Sequence, residues 1–438
     1  MVQKKFIFIS LLILLLLGCS FAGCNPKPDQ DPEVKTLTLA VFENNPRLSE
    51  WVSIYNKNHP EVSITLVNYF DKYSDSFEAL KQLKIEIVAG KGPDLIDFSL
   101  LYSPIDASSG MLVDLYPLMQ NDARFNKQDF YYNILESLEV GDSLYVLAPT
   151  FGITSYATTN HELSGLERMD IEQLIEVYNQ REDGTILFPG ETKSDVLAKI
   201  CYWGLGNYID WGNGSCRFNS DSFKALLNFA DQFPSTLNIT ADYSAMNFFT
   251  EGRAILYPVS FDNVYGTTLV RMLYGKTPTY IGYPLDSGNG NMAAIADIAI
   301  GISATSNNKD EAWDFLVSLL DRDFQDNTES GLPLRINSLK QQLADAMETA
   351  YDANGNMVVQ EQLIFDGEDP VNIFEISEED AETLELIISK VEFSATVDSA
   401  LYSIVLEEAD YLFNDDRAVD DVADIIQNRV SLYINENK

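Results

Sequence analysis

The sequence predicts an α/β fold in two domains, and three observations carry that reading. Residues 36–67 run strand, helix, strand. A second helix then ends in a glycine turn that opens into a short apolar strand. The 438 residues, 46% of them hydrophobic, exceed what a single ordinary core takes up. In "TLTLAVF" (36–42), Leu37, Leu39 and Val41 alternate with threonines, the period of a strand. In "RLSEWVSIYNKNHP", Leu48, Trp51, Val52 and Tyr55 fall at helical spacing, and Pro60 lies just past the end. "EVSITLV" (61–67) alternates again through Val62, Ile64 and Leu66. Such a unit implies a right-handed crossover and a parallel pair of strands. The next helix, at about 76–89, places Phe77, Leu80, Leu83, Ile87 and Val88 near one face.

That helix runs into "VAGKGPDLIDFS" (88–99). Gly90 stands where the helix must stop, a position cheapest for glycine, and Pro93 forbids helical continuation. Leu95, Ile96 and Phe98 then resume a strand. A phosphate-binding loop needs glycines followed by a helix; here the order is helix, glycines, strand, which excludes it. Asp94 is expected to brace the loop.

Further on, 221–233 reads as a helix through Phe223, Leu226, Leu227 and Ala230. "EGRAILYP" and "TYIGYP" each hold a short strand, and "AIADIAIGIS" reads as a buried strand. "NNKDEAWDFLVSLL" (307–320) is a helix with Asn308 as its cap and Asp310 and Glu311 against its dipole. "YDANGNMVV" (351–359) lacks the glycine spacing of an EF-hand loop and reads as a hairpin turn at Asn354-Gly355. A helix at about 418–434 closes the chain.

Acidic residues outnumber basic ones 67 to 29, a net charge of −38. Such a surface repels phosphate backbones and excludes nucleic acid as a partner. Solubility accounts for the excess, with a cationic ligand as the sharper alternative. The two histidines, His59 and His161, stand apart from any cysteine pair at ligand spacing, so neither a metal site nor a cofactor is expected.

The N-terminus has the pattern of an export signal: Lys4 and Lys5, then an apolar run from Phe6 to Leu17 too short to span a bilayer. The following "LLGC" resembles a bacterial lipobox, which implies a signal peptide of residues 1–18 and lipidation at Cys19. "FAGC", ending at Cys24, is the alternative, less favoured because Leu16 suits the motif better than Phe21. Residues 19–36, rich in proline and charge, form a lipidated tether. The chain is then exported and anchored to the outer face of the cytoplasmic membrane, at the cell surface or facing the periplasm. In that compartment Cys201 and Cys216 can be a disulfide, worth roughly 3 kcal/mol, or two inert thiols.

Six segments, in order, resemble the extracellular solute-binding proteins of carbohydrate ABC transporters, the family-1 group of maltose-binding protein. They are "AGKGPDLIDFS", "SGMLVDLYPLM" (109–119), "LYVLAP" (144–149), "FTEGRAIL" (249–256), "SNNKDEAWDFLVSLL" and "SGLPLRINSL" (330–339). The resemblance covers nearly everything after residue 36. It implies a two-lobed periplasmic-binding-protein-like fold (type II), each lobe a mixed sheet flanked by helices, with a ligand cleft between lobes. By that likeness 37–149 plus 293–345 form lobe 1, and 150–292 plus 346–438 form lobe 2. The implied partners are a carbohydrate ligand and ABC permease subunits, and a monomer is expected.

A sugar offers hydroxyls and apolar C–H faces, so its pocket combines carboxylates or amides with aromatic rings. By motif position the candidates are Glu43, Asn44, Asn45, Ser99 and Tyr102 from the first lobe. Phe151 and Thr154 follow the hinge proline. Asp210, Trp211, Phe261, Asp262 and Tyr283 come from the second lobe. Phe261 stands where sugar-binding relatives usually carry tryptophan, which leaves the stacking role open to Trp211. Two other readings remain: the same fold binding a peptide or polyamine, and a secreted glycan hydrolase. No G-x-S-x-G, metal triad or nucleotide loop appears, and no enzymatic activity is expected.

Overall fold

The computed structural model describes residues 34–73, 75–99, 103–160, 163, 166, 169–237, 245–284, 291–295, 298–328, 330–364, 370–395 and 398–437. The signal peptide, Cys19, Cys24, the tether through residue 33 and Tyr102 lie outside them. The first elements are β1 (Lys35–Val41), α1 (Pro46–Asn58), β2 (Val62–Asn68), α2 (Ser76–Val88) and β3 (Leu95–Asp97). β1 pairs in parallel with β2 from Lys35↔Val62 to Val41↔Asn68, and in parallel with β3. Alternation sorts the side chains between faces. Leu37, Leu39 and Val41 share a core with Leu48, Val52 and Tyr55 of α1. Ala40, Ile96 and Phe98 pack with Leu83 and Ile87 of α2. A buried leucine contributes roughly 1.5–3 kcal/mol. A slip of one residue would drive Leu37 and Leu39, both fully buried, into the α2-facing side that takes Thr38 and Ala40.

The glycine turn has two distinct causes. Gly90 takes φ +68°, a left-handed helix stop, whereas a Cβ on Gly92 would lie 2.6 Å from Ile87 Cγ1. Asp94 is a staple. Its Oδ2 accepts from Thr38 N at 2.9 Å and its Oδ1 from Ser306 Oγ at 2.7 Å.

The chain then passes α3 (Tyr132–Glu136) and a bridge between Leu147 and Ile300 before entering β4 (Thr150–Thr158). Next come α4 (Ile171–Gln180), α5 (Lys193–Gly204), the small hairpin β5 (Ile209–Asp210) and β6 (Ser215–Cys216), and α6 (Asp221–Asp231). β7 (Tyr257–Phe261), α7 (Gly266–Tyr274), β8 (Thr279–Tyr280) and β9 (Asn291–Ile295) follow. β10 (Ile300–Ile302) returns antiparallel to β3, followed by α8 (Lys309–Ser318), β11 (Leu332–Pro333) and α9 (Ile336–Ala346). The last part holds the hairpin β12 (Glu361–Leu363) and β13 (Val371–Ile373), α10 (Glu378–Ser389), β14 (Val391–Ala395), α11 (Ser399–Phe413) and α12 (Val419–Asn437).

The result is two sheets, each the centre of a lobe flanked by helices. The first has the order β10-β3-β1-β2. The second has six strands, β11-β4-β9-β14 with β7 and β8 also on β4. β9 and β11 both pair with Phe151, and β9 and β7 both pair with Ile153. So β7 and β11 occupy one edge of β4, while β9 and then β14 lie on the other. Tyr156, Ile255, Leu256, Ile281 and Tyr283 form a separate core with α4, α5, α6, α11 and α12. At the crossing between sheets, the fully buried Gln325 donates to Pro149 O (2.8 Å) and Leu319 O (2.9 Å) and accepts from Arg335 N (2.9 Å).

Three local expectations are corrected, and one left open is decided. "AIADIAIGIS" is not one strand: its start ends β9 in the second sheet and Ile300–Ile302 forms β10 in the first. An apolar run buried on both sides carries no mark of a sheet change. In "EGRAILYP" the strand begins only at Tyr257, and Ala254 makes an isolated bridge to Ile186. Asn308 holds the N-cap position of α8 without capping it, because its amide is turned to Asp94 Oδ1 (3.4 Å) and Thr36 O (3.5 Å). Of the two states left open for Cys201 and Cys216, the structure has free thiols. Cys201 is buried in the second core, and Cys216 Sγ instead contacts Ser431 Oγ at 3.3 Å.

Candidate functional site

The parallel strands β1, β2 and β3 end on the side where the chain crosses into the second sheet, as the bridge of Leu147 to Ile300 and the pairing of β10 with β3 require. In parallel sheets ligands bind beyond these carboxyl ends. A cavity of about 340 Å³ lies there, walled by Val41, Leu48 and Leu66 and lined by Glu43, Asn44, Asn45, Ser49, Asn68 and Asp71. Glu43, Asn44 and Asp71 are exposed. Asn45 is committed locally, since its Oδ1 accepts from Leu48 N (3.0 Å) and caps α1. Asn68 Oδ1 accepts from Phe70 N (2.9 Å), leaving its amide N–H groups to the cavity. Two carboxylates that only accept, beside amides that do both, suit a ligand rich in hydrogen-bond donors.

A second cavity, about 110 Å³, lies between the lobes. Pro104, Ser137, Leu138 and Glu139 line it from the first lobe, and Gly206, Asn207, Trp211, Phe393 and Ser394 from the second. Trp211 packs against the cores of both lobes. A Cβ on Gly212 would come within 3.2 Å of Gly141 Cα, so the lobes touch backbone to backbone beside it. Nearby, Ser103 Oγ (3.1 Å) and Tyr433 OH (3.2 Å) both donate to Asp398 Oδ2. Ser394 Oγ is buried without a hydrogen-bond partner. Tyr116 OH donates to Glu139; burial and that carboxylate push the Tyr116 phenol far above its ordinary value.

The two cavities lie on opposite sides of the crossing. Phe393 and Ser394 belong to β14, beyond β9. The first cavity sits on the β7–β11 side instead. Arg47, in the first turn of α1, donates to Phe324 O (3.2 Å) and Ser330 O (3.4 Å), just before β11.

The sequence-predicted residues therefore separate. Glu43, Asn44 and Asn45 come together in the first cavity, and Trp211 lines the other. Asp210 is exposed, but both its oxygens are taken by Asn213, through N (3.0 Å) and Nδ2 (2.7 Å). Ser99 is half-buried, its N–H donating to Asp97 Oδ1 (3.0 Å). Asp262 is exposed at the end of β7.

Phe151, Thr154, Phe261 and Tyr283 are interior positions instead. The Phe261 ring meets Tyr280 edge-on at 5.3 Å, and Thr154 Oγ1 and Tyr283 OH satisfy each other at 2.8 Å. Burial pushes the Tyr283 phenol well up. Phe151 and Thr154 lie on β4, buried along nearly its whole length, Phe261 is on the covered face of β7, and Tyr283 lies past β8 in the second core, so a motif position near a strand did not translate into exposure.

Sequence reading missed Asn68 and Asp71, which the carboxyl-end rule applied to β2 would have found. It also missed Glu139, Asn207, Phe393 and Ser394, which carry no local signal. Among the described residues no cluster of three or more His, Cys, Asp or Glu side chains is arranged to hold a metal ion, and no helix is long and apolar enough to cross a membrane.

Two α/β lobes with open space at their shared boundary define a binding-protein architecture. The family model for bacterial extracellular solute-binding proteins matches residues 35–326, and the chain belongs to that family. Among solved structures, it is similar to a periplasmic oligogalacturonide-binding protein from Yersinia enterocolitica, with 13% identity, a TM-score of 0.58, and 92% of this chain and 99% of that one covered. It is also similar to the sugar-binding protein MalE from Xanthomonas citri, with 12% identity, a TM-score of 0.53, and 92% and 98% covered. A third is an ABC substrate-binding protein from Listeria monocytogenes in complex with cycloalternan, with 12% identity, a TM-score of 0.51, and 92% and 99% covered. No curated protein matches the chain.

Proposed function

We propose that this protein is an exported, lipid-anchored, monomeric receptor that binds a mono- or oligosaccharide between its lobes and delivers it to an ABC importer. Lipidation is at Cys19, with Cys24 as the alternative. The lobes comprise 37–149 plus 293–345 and 150–292 plus 346–438. Family membership, joined to the open cavity at the carboxyl ends of β1 and β2, carries the reading. Glu43, Asn44 and Asp71 would hold hydroxyls, and the sugar-binding neighbours of the same fold support the ligand class. Micromolar capture needs roughly −8 kcal/mol, within reach of a few hydrogen bonds and one apolar contact.

One observation favours a second reading, a polyamine or cationic peptide: Glu43 and Asp71 line the cavity with no basic or aromatic residue among its lining. A thermal-shift screen of a soluble form beginning at Asn25 separates the two. A saturable rise with a sugar, recovered intact afterwards, supports the receptor and excludes hydrolysis. A rise only with polyamines or peptides overturns the carbohydrate assignment.

A further inference from the structure

We infer that Lys84, Asp106 and Asp398 form a latch across the lobe boundary that holds the lobes together more firmly in acid. The inference goes beyond the receptor reading, since it concerns how the lobes part and needs no solute. Lys84 lies on α2, and its Nζ pairs with Asp106 Oδ1 at 2.5 Å. Asp106 closes the turn Pro104–Asp106 and is only 6% exposed. Ser103 opens that turn, and its hydroxyl reaches out of the first lobe to donate to Asp398 Oδ2 (3.1 Å).

Asp398 is held in place by its own lobe. It caps α11, with Oδ1 accepting from Ala400 N and Leu401 N, both at 3.1 Å. Its Oδ2 accepts from Tyr433 OH of α12 (3.2 Å) as well as from Ser103. Four donors, one of them from the first lobe, thus fix this carboxylate at the boundary. Its charge acts on Asp106, and both carboxylates act on Tyr433.

The charged or titratable groups that face Asp106 are Lys84 from α2, Asp398 from the start of α11 and Tyr433 from α12. Ser109 Oγ bonds the Asp106 backbone carbonyl instead (2.7 Å). Burial pushes the Asp106 carboxyl above its usual range, Lys84 opposes that, and Asp398 adds to it. Burial and the two carboxylates push the Tyr433 phenol well up, so it stays a donor throughout. While Asp106 is ionised, Asp398 meets one like and one opposite charge across the boundary, and the two largely cancel. Once Asp106 takes up a proton, Lys84 remains as the unopposed cation. Parting the lobes would rehydrate Asp106 and take Asp398 away, which lowers its carboxyl toward the ordinary value. Proton uptake therefore favours the held lobes, and the attraction is lost as pH rises through the Asp106 titration.

The test uses the chain from Asn25 without solute, with the open fraction read by X-ray scattering at pH 7.5 and pH 5. In the wild type, acid should shift the lobes about fivefold toward the held form. Asp106→Asn should be held at both pH values, and Lys84→Met should open at pH 7.5 and close again at pH 5. Those three results together support the latch. A wild-type radius of gyration independent of pH overturns it. So does an equal acid contraction in Asp106→Asn, which would assign the effect to the overall charge of −38. Should Asp106→Asn or Lys84→Met fail to fold, by melting temperature, Ser103→Ala decides. An open fraction larger than the wild type's at both pH values supports the latch, and an unchanged one overturns it. None of these outcomes involves a solute, so the receptor reading stands or falls separately in the thermal-shift screen.

Discussion

The two cavities differ in how far apart along the chain their walls arise. The Glu43–Asp71 cavity is built from residues 41–71, one strand–helix–strand unit, and its charged side chains are exposed. The interlobe cavity is assembled from positions near 104, 138, 207, 211 and 394. The difference separates tasks. The exposed Glu43, Asn44 and Asp71 of the first can meet a solute, whereas a charge such as Asp380 holds distant segments together.

The largest effect should come from breaking such a structural charge pair. Asp380, almost fully buried, accepts from Arg271 Nε (2.8 Å) and Nη2 (2.7 Å) and from Thr268 Oγ1 (2.8 Å). Arg271→Ala should cost about 3–5 kcal/mol in urea unfolding by stranding that carboxylate. Asp71→Asn in the open cavity should stay within about 0.5 kcal/mol while weakening solute binding. Equal losses in the two variants would erase the contrast.

A smaller effect is expected where the lobes touch. Gly212→Val pushes a side chain onto Gly141 and should cost about 1–3 kcal/mol, with an increase in radius of gyration by X-ray scattering. An unchanged radius would mean that this contact does not set the lobe spacing.

Acid should weaken the first lobe in a defined window. Arg124 beside Asp122, helped by the Trp313 indole and opposed by burial, holds that carboxyl down to about 2, below its ordinary 3.8. A carboxyl lowered on folding stabilises fully above its ordinary value and loses that contribution as pH falls through the folded one. The stability gap between wild type and Asp122→Asn should therefore narrow between pH 5 and pH 2.

The smallest effect concerns the thiols. Burial pushes Cys201 up to about 12 and raises Cys216. Reductant should leave the melting temperature of the Asn25 form unchanged, and a thiol reagent should count both cysteines only after unfolding. A drop on reduction would restore the disulfide.

The three parallel strands of the first sheet were legible because their information is local. Alternation in 36–42 and 61–67, helical spacing in α1 and α2, and the Gly90–Asp94 turn each act within a few residues, and parallel pairing follows from the unit's handedness. The second sheet was legible only in pieces. Its strands lie at 150–158, 257–261, 291–295, 332–333 and 391–395 with β8 besides, and nothing within "AIADIAIGIS" announces that its two ends serve different sheets. The motifs carried the family, because they recur at turns and helix ends. They did not carry exposure, as Phe151, Phe261 and Tyr283 show.

What the sequence determined by itself was the α/β class, the first strand–helix–strand unit, the absence of a phosphate loop and the position of Glu43–Asn45 beyond β1. These depend on periodicity, backbone limits of glycine and proline, and charge, all short-range properties. Tertiary structure alone decided that Trp211 and Glu43 stand on opposite sides of the crossing and that Phe261 is core. Burial and juxtaposition depend on which distant segments cover a residue, and no local pattern records that.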